Sequence, residues 1–330
     1  MAGGCVKRLS EDGQKGHSKL PMNDGIKIER KLSYYVVLFL DLLGQREIIG
    51  KLQDLRCLQD DEATYYRRFG EAAGKVWGVR ACLAQWIAAC LRDTPPNGPG
   101  VPKVKLQMFS DTVIAYFAVD EENPNCFLAL RAFIIATAVT MTHALAAGVP
   151  MRGGLDYHIA TDFSDQNASS DTITSGGDLW GPAPKLAYEL AEKQAEYPRI
   201  LIGNGLPEII HKLAERISTR LKDNPESAPR VLDQIEAAKQ VMSIMATDPN
   251  DNKTILDYLR YRLWHQSDQQ LHESLRQAYR FAVSQHKQFT GNGADTLAER
   301  YRKLLYYMES RQEPNGILPA GTIPKSATNV

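Results

Sequence analysis

Tyr34 to Leu40, YYVVLFL, is an unbroken run of β-branched and aromatic residues that predicts a strand buried on both faces, and it ends on Asp41. From Glu62 to Leu91 apolar residues recur at helical spacing (Tyr65, Phe69, Ala72, Ala73, Val76, Val79, Leu83, Trp86, Ile87), and DTPPNGPG stops that helix. Val104 to Met108 and Thr112 to Val119 read as two strands. The connection between them is short enough to force antiparallel pairing, which puts Asp111 at a hairpin turn. Asn125 to Ala147 reads as a buried helix, and GVPMRGGLDYHIA as a turn followed by a strand. Asp162 to Gly177 is polar and aperiodic, a predicted loop, before a helix from Pro182 to Gln194 and a strand from Arg199 to Ile202. Beyond Gly205 the pattern is mostly helical, with a strand pair around Val241 to Thr247 and Thr254 to Tyr258 across DPNDN. Amphipathic helices at Leu271 to His286 and Asp295 to Arg311 precede a Gly/Pro-containing tail.

The order βα, ββ, αβ is that of the ferredoxin-like or palm arrangement: an α+β fold, βαββαβ, with an antiparallel sheet and here a C-terminal helical extension. The expected division is a flexible N-terminal tail at 1–28, a core domain at 29–262, and the helical extension and tail at 263–330. Lys plus Arg equal Asp plus Glu, 39 each, so no global field gathers nucleic acid or an anionic membrane. Cys5, Cys57, Cys82, Cys90 and Cys126 are odd in number and lack CxxC spacing, which suits reduced thiols. No stretch reaches about 18 apolar residues without interruption and the N-terminus is polar, so a cytoplasmic protein is expected. His143 and His158 have no metal-ligand spacing and read as structural.

An aspartate at a strand end ordinarily caps the next element or serves a turn. In the βαββαβ order, however, the first strand and the hairpin are neighbours, so Asp41 and Asp111 share one end of the sheet. Paired carboxylates there make an oxygen-rich seat for divalent ions and suit phosphoryl transfer.

A third segment, GGDLWGPAPKLAYELAE, joins FLDLLG and SDTVIAYF. Together the blocks resemble, in order and spacing, the class III nucleotide cyclases, with Asp178, Leu179, Trp180, Gly181, Leu186, Ala187 and Leu190 matching the turn and helix that carry transition-state residues. The resemblance spans roughly half the chain. It implies two divalent ions per site, Mn²⁺ or Mg²⁺, held by Asp41 and Asp111 with Leu42 beside them. It also implies a homodimer in which the metal aspartates come from one copy and the DLWG turn and helix of the other close the site. Backbone around Phe39, Leu42, Leu43 and Gly44 would approach the triphosphate, because a helix begins there and its free amides attract phosphate oxygens.

The chain departs from that family at two helix positions, where Lys185 replaces asparagine and Glu189 replaces the transition-state arginine. Lys185 would then carry the catalytic positive charge, or Arg152 or Arg46 would swing in. The purine-reading pair is also altered, since Gln107 stands four residues before Asp111, opposite Asp178. An amide that both donates and accepts can serve a pyrimidine edge. Tyr188 would shrink the pocket for a smaller base. These features, with FLDLLGQRE and RGGLDY, resemble the pyrimidine cyclases of bacterial Pycsar anti-phage systems. That implies conversion of UTP to cyclic UMP, or of CTP to cyclic CMP, as a messenger for a separate effector. A catalytically silent nucleotide-binding homologue and a palm-type polymerase are the competing expectations.

Overall fold

The chain divides into Met1–Arg30 and Lys31–Val330. The computed structural model describes residues 32–45, 50, 62–92, 100–120, 123, 125–163, 173–175, 178–223, 228–260 and 269–311. The expected N-terminal tail, Arg46, Cys5, Cys57, most of DTPPNGPG and the C-terminal tail lie outside the described residues.

The protein is a mixed α+β fold with a mostly antiparallel sheet. Strand β1 (Ser33–Leu42) is followed by helix α1 (Glu62–Leu91), the hairpin β2 (Val104–Phe109) and β3 (Thr112–Val119), helix α2 (Cys126–Ala146) and strand β4 (Met151–Asp162). Within the sheet β2, β3, β1 and β4 are neighbours in that order, the ferredoxin-like arrangement read from the sequence. Beyond β4 lie β7 (Ile200–Ile202), β9 (Thr254–Leu256) and β8 (Met245–Thr247). At the other edge β5 (Ile173–Ser175) runs parallel to β2, and β6 (Leu179–Trp180) pairs with the end of β4.

The continuous apolar run of β1 has a direct cause. Val36, Leu38, Leu40 and Leu42 point into the larger core, shared with α1 and α2, while Tyr35 and Val37 point into a second cluster on the opposite face. Helix α2 is apolar all round because it packs against α1, α5 (Ala228–Ser243) and α6 (Gln269–Gly291) as well as lying in the main core. It is long and apolar enough to cross a membrane, yet is largely buried inside the fold.

The second face is covered by α3 (Pro182–Glu189), which continues into a π-helical turn at Leu190–Gln194. Ala183, Ala187 and Ala191 are fully buried, and β4 meets them with glycine. A Cβ on Gly154 would lie 2.1 Å from the Ala187 carbonyl oxygen and 2.6 Å from Leu190 Cβ, so helix and strand backbones touch directly.

After α4 (Gly205–Asp223), a buried polar knot ties the last strands to the core. Arg199 donates to Asp248 and Asp251, and Tyr197 donates to Asp248. Burial opposes the Arg199 charge, but those two carboxylates more than offset it and push its pKa up. Helix α7 (Asp295–Ser310) is anchored where the Tyr307 hydroxyl donates to Asp257 at 2.8 Å. Helices α6 and α7 thus share the core with the sheet, through Leu271, Leu275, Leu304 and Leu305.

Three expectations are corrected. Val241 lies on α5, where Ala237, Ala238, Val241 and Ile244 form a buried helical stripe, so the strand pair is shorter than predicted. The polar stretch from Asp162 to Gly177 contains β5, whose partner β2 lies far away in sequence. The helix from Pro182 changes to π geometry at Leu190.

Gly154→Ala should lower stability by about 2 kcal/mol, because the added methyl meets backbone that cannot rotate away. Urea denaturation checks it; an unchanged midpoint would mean that α3 rides clear of β4.

Candidate active site

Asp41 sits where β1 is flanked on both sides. Its direct neighbours are Thr112 on β3 and Arg152 on β4. Alternation along β1 puts it on the face of Tyr35, Val37 and Phe39, beneath α3, and it is buried. The β2–β3 turn reaches this end of the sheet through Ser110, whose φ of 54° is left-handed, and Asp111. The Leu42 amide donates to the Asp111 carbonyl at 3.1 Å, which fixes the turn against β1. The sequence expectation that Asp41 and Asp111 share one end of the sheet therefore holds.

The phosphate cradle expected around Leu42 and Leu43 is different. Leu42 donates to Asp111 and Leu43 donates to the Pro150 carbonyl at 2.9 Å, so both amides are committed. The cause is that β1 runs two residues further than an immediate helix start allows. The Leu42 side chain belongs to the main core. Gly44, with φ 83°, provides the turn, and a Cβ there would meet nothing within 4 Å, which leaves the backbone open on that side.

The electrostatics centre on one guanidinium. Arg152 Nε donates to Asp41 Oδ2 at 2.8 Å, while its Nη2 and Nη1 donate to the carboxylate and main-chain carbonyl of Glu192 at 2.6 and 3.2 Å. Burial raises the Asp41 pKa above its ordinary value. The Arg152 hydrogen bond and charge pull it down, and the charges of Glu192 and Asp111 push it up again. Asp111 makes no side-chain hydrogen bond or ion pair with a described residue.

These residues fit a divalent cation. The charges of Glu192 and Asp111 both act on Asp41 against a single guanidinium, and all the donors are oxygen. Among the described residues no group of three or more His, Cys, Asp or Glu side chains is arranged around a common point. An ion would rest on Asp41 and Asp111, with backbone oxygens and substrate phosphates completing its shell.

An open cavity of about 690 Å³ is lined by Phe39, Gln107, Phe109, Thr112, Asp178 and Trp180, among others. Gln107 and Asp178, separate in sequence, are thereby brought to one space. Phe109 and Trp180 are 75% and 73% exposed, unusual for such residues and a sign of an unfinished surface. Phe39 and Tyr188 pack edge to face at 5.3 Å. Asp178 does not cap α3; that position is Gly181, while the Asp178 carbonyl accepts from the Phe163 amide at 2.9 Å. The carboxylate of Asp178 is thus left to the cavity.

Lys185 is exposed on α3, and no hydrogen bond or ion pair joins it to Asp41 or Asp111 among the described residues. Glu189 pairs with Lys193 one turn on, at 2.9 Å, and that pairing lowers its pKa. His143 faces Ser274 at 3.3 Å and His158 accepts from the Ile159 amide at 2.8 Å, both structural roles. Cys126 is held neutral, its pKa pushed up by burial to about 11. Sequence reasoning missed Glu192, which read as one more acidic residue on a helix, and the Lys105–Asp162 pair beside Gln107 on β2.

No family model and no curated protein matches this chain. Among solved structures, it is similar to the adenylyl cyclase CyaB from P. aeruginosa at 13% identity and a TM-score of 0.34, over 69% of this chain and 94% of that one. It is also similar to a bacterial light-regulated adenylyl cyclase at 17% identity and a TM-score of 0.32, over 55% of this chain and 46% of that one. Neither likeness is close enough to bear on substrate or mechanism.

Because its folded pKa is raised, Asp41 binds its proton more tightly in the fold than in the unfolded chain. Its stability contribution is full below the unfolded pKa and is lost as pH rises through the folded one. Asp41→Asn should therefore flatten the fall in stability upward from about pH 4, followed by urea denaturation at a series of pH values. Equal slopes in both proteins would place that titration elsewhere.

Proposed function

We propose that the protein is a pyrimidine nucleotide cyclase that converts UTP to 3′,5′-cyclic UMP and pyrophosphate in a cytoplasmic homodimer. The observation that carries the proposal is that each chain places Asp41 and Asp111 at one end of the sheet and brings Gln107 and Asp178 together around one cavity. A cyclase site needs a cation seat for a polyphosphate and a selective pocket for a base, and each chain carries both halves.

Asp41 and Asp111 would hold the divalent ions, which supply activation of the ribose 3′-hydroxyl and neutralisation of the departing pyrophosphate. The hydroxyl attacks the α-phosphorus, and the bond to the pyrophosphate oxygen breaks. Gln107 and Asp178 orient the base: the carboxylate accepts from uracil N3–H and the amide meets a carbonyl with its NH₂. Lys185 lies on the outer side of α3, away from its own Asp41, and in a two-fold dimer would meet the phosphates of the partner's site. The exposed aromatics around the cavity are the surface that a second copy would cover.

The alternative base is cytosine, for which the Gln107 amide would rotate and Asp178 would accept from the exocyclic amine. The Glu189–Lys193 pair favours a second reading, a silent nucleotide-binding homologue, because the helix position expected to carry an arginine carries an acid already neutralised within its own helix. From the resemblance to Pycsar enzymes we infer a messenger that activates a separate effector in anti-phage defence.

Purified protein incubated with each of the four NTPs and Mn²⁺ should yield cyclic UMP by mass spectrometry, and Asp111→Ala should abolish it. Cyclic purine products alone would overturn the base assignment, and no cyclic product from any NTP would favour the silent homologue. Mixing inactive Asp41→Asn and Lys185→Ala chains should restore about a quarter of wild-type activity, since half of the random dimers carry one intact composite site of two. No recovery on mixing would rule out shared sites.

A further inference from the structure

Arg152 is held unequally. It gives Asp41 one hydrogen bond, through Nε, and gives Glu192 two, one to the carboxylate and one to the main-chain carbonyl. That carbonyl can accept because Glu192 lies in the final π turn, where the last carbonyls lack partners further along the helix. The guanidinium can therefore leave Asp41 by breaking one bond while two keep it in place. It also has somewhere to go: Arg152 lines an open cavity of about 450 Å³ shared with Lys193, Arg300 and Lys303. Asp41 and Arg152 are cross-strand neighbours in a rigid part of the sheet, so the carboxylate stays where it is when the side chain turns.

We propose that Arg152 is a counter-cation that holds the Asp41 carboxylate until a divalent ion replaces it, and that Glu192 retains the displaced guanidinium beside the site. The inference rests on the reading of Asp41 and Asp111 as a metal seat. A desolvated Asp41 without any cation would be costly to ionise, and Arg152 offsets part of that cost in the empty protein. One guanidinium leaves the three carboxylates undercompensated, so an ion of charge two competes well for the position. Ion entry at Asp41 turns Arg152 toward the cavity that it shares with Glu192, Glu196 and Glu299. Glu192 is then a positioning residue, acting through Arg152.

Competition makes Arg152 and the ion negatively coupled. Mn²⁺ titration of the full chain without nucleotide, followed by calorimetry, should show binding in wild type and its loss in Asp41→Asn. Arg152→Gln should bind Mn²⁺ about tenfold more tightly, and Glu192→Gln, which frees Arg152 to stay on Asp41, about tenfold more weakly. Unchanged or weaker binding by a folded Arg152→Gln would overturn the exchange and leave Arg152 a fixed brace. Equal binding by wild type and Asp41→Asn would instead remove the metal seat itself. Should Arg152→Gln fail to fold, arginine Nε–H resonances of wild type decide, with Arg152→Lys for assignment. Saturating Mg²⁺ should shift the Arg152 signal, and an unmoved signal would overturn the proposal.

Discussion

The contact on which most of this molecule depends is the one between the backbone of β4 at Gly154 and the backbone of α3 at Ala187. With no Cβ on the strand and only methyl groups on the helix, the two elements approach until the helix carbonyl rests against the strand. That approach sets the height of α3 above the sheet. It brings the π turn down far enough for Glu192 to reach Arg152, and it sets Tyr188 against Phe39, which lines the Gln107–Asp178 cavity. A bulkier pair would still give a covered sheet, but the far end of the helix would no longer reach Arg152.

Much of this plan is legible from residue order because it rests on local periodicity. The double burial of β1, the β2–β3 hairpin and the apolar spacing of α1 are patterns that neighbours in sequence determine. What was not legible depends on pairing at a distance. Strand β5 is three residues in a polar stretch and exists because β2 offers a free edge. The amides of Leu42 and Leu43 are consumed by Asp111 and Pro150, remote acceptors that no pattern around FLDLLG announces. Glu192 meets Arg152 from the π turn that begins at Leu190, a one-residue offset without a sequence signature.

The same distinction separates the candidate carboxylates from their balance of charge. Asp41 and Asp111 stand out because each interrupts an apolar run. The residue that answers Asp41 sits in MRGGLDY, where the sequence offers it as a cation for the phosphates and not as the partner of Asp41. Only register, Asp41 opposite Arg152, reveals the pairing. Burial then decides its meaning, since a surface pair would be worth little whereas a buried one with a third acid nearby is unbalanced.

The exposed aromatics complete the argument. Phe109 and Trp180 both line the Gln107–Asp178 cavity, and leaving both in water forgoes much of what each could contribute by burial. A base stacked in the cavity would cover part of that surface, but not the outer faces. A second copy placed about a two-fold axis would cover those and would carry Lys185 toward the phosphates, an element the single chain leaves on the wrong side of α3. On the proposed reading, the incomplete cation set at the site and the uncovered apolar rim at the cavity are one deficit, met by the same partner surface.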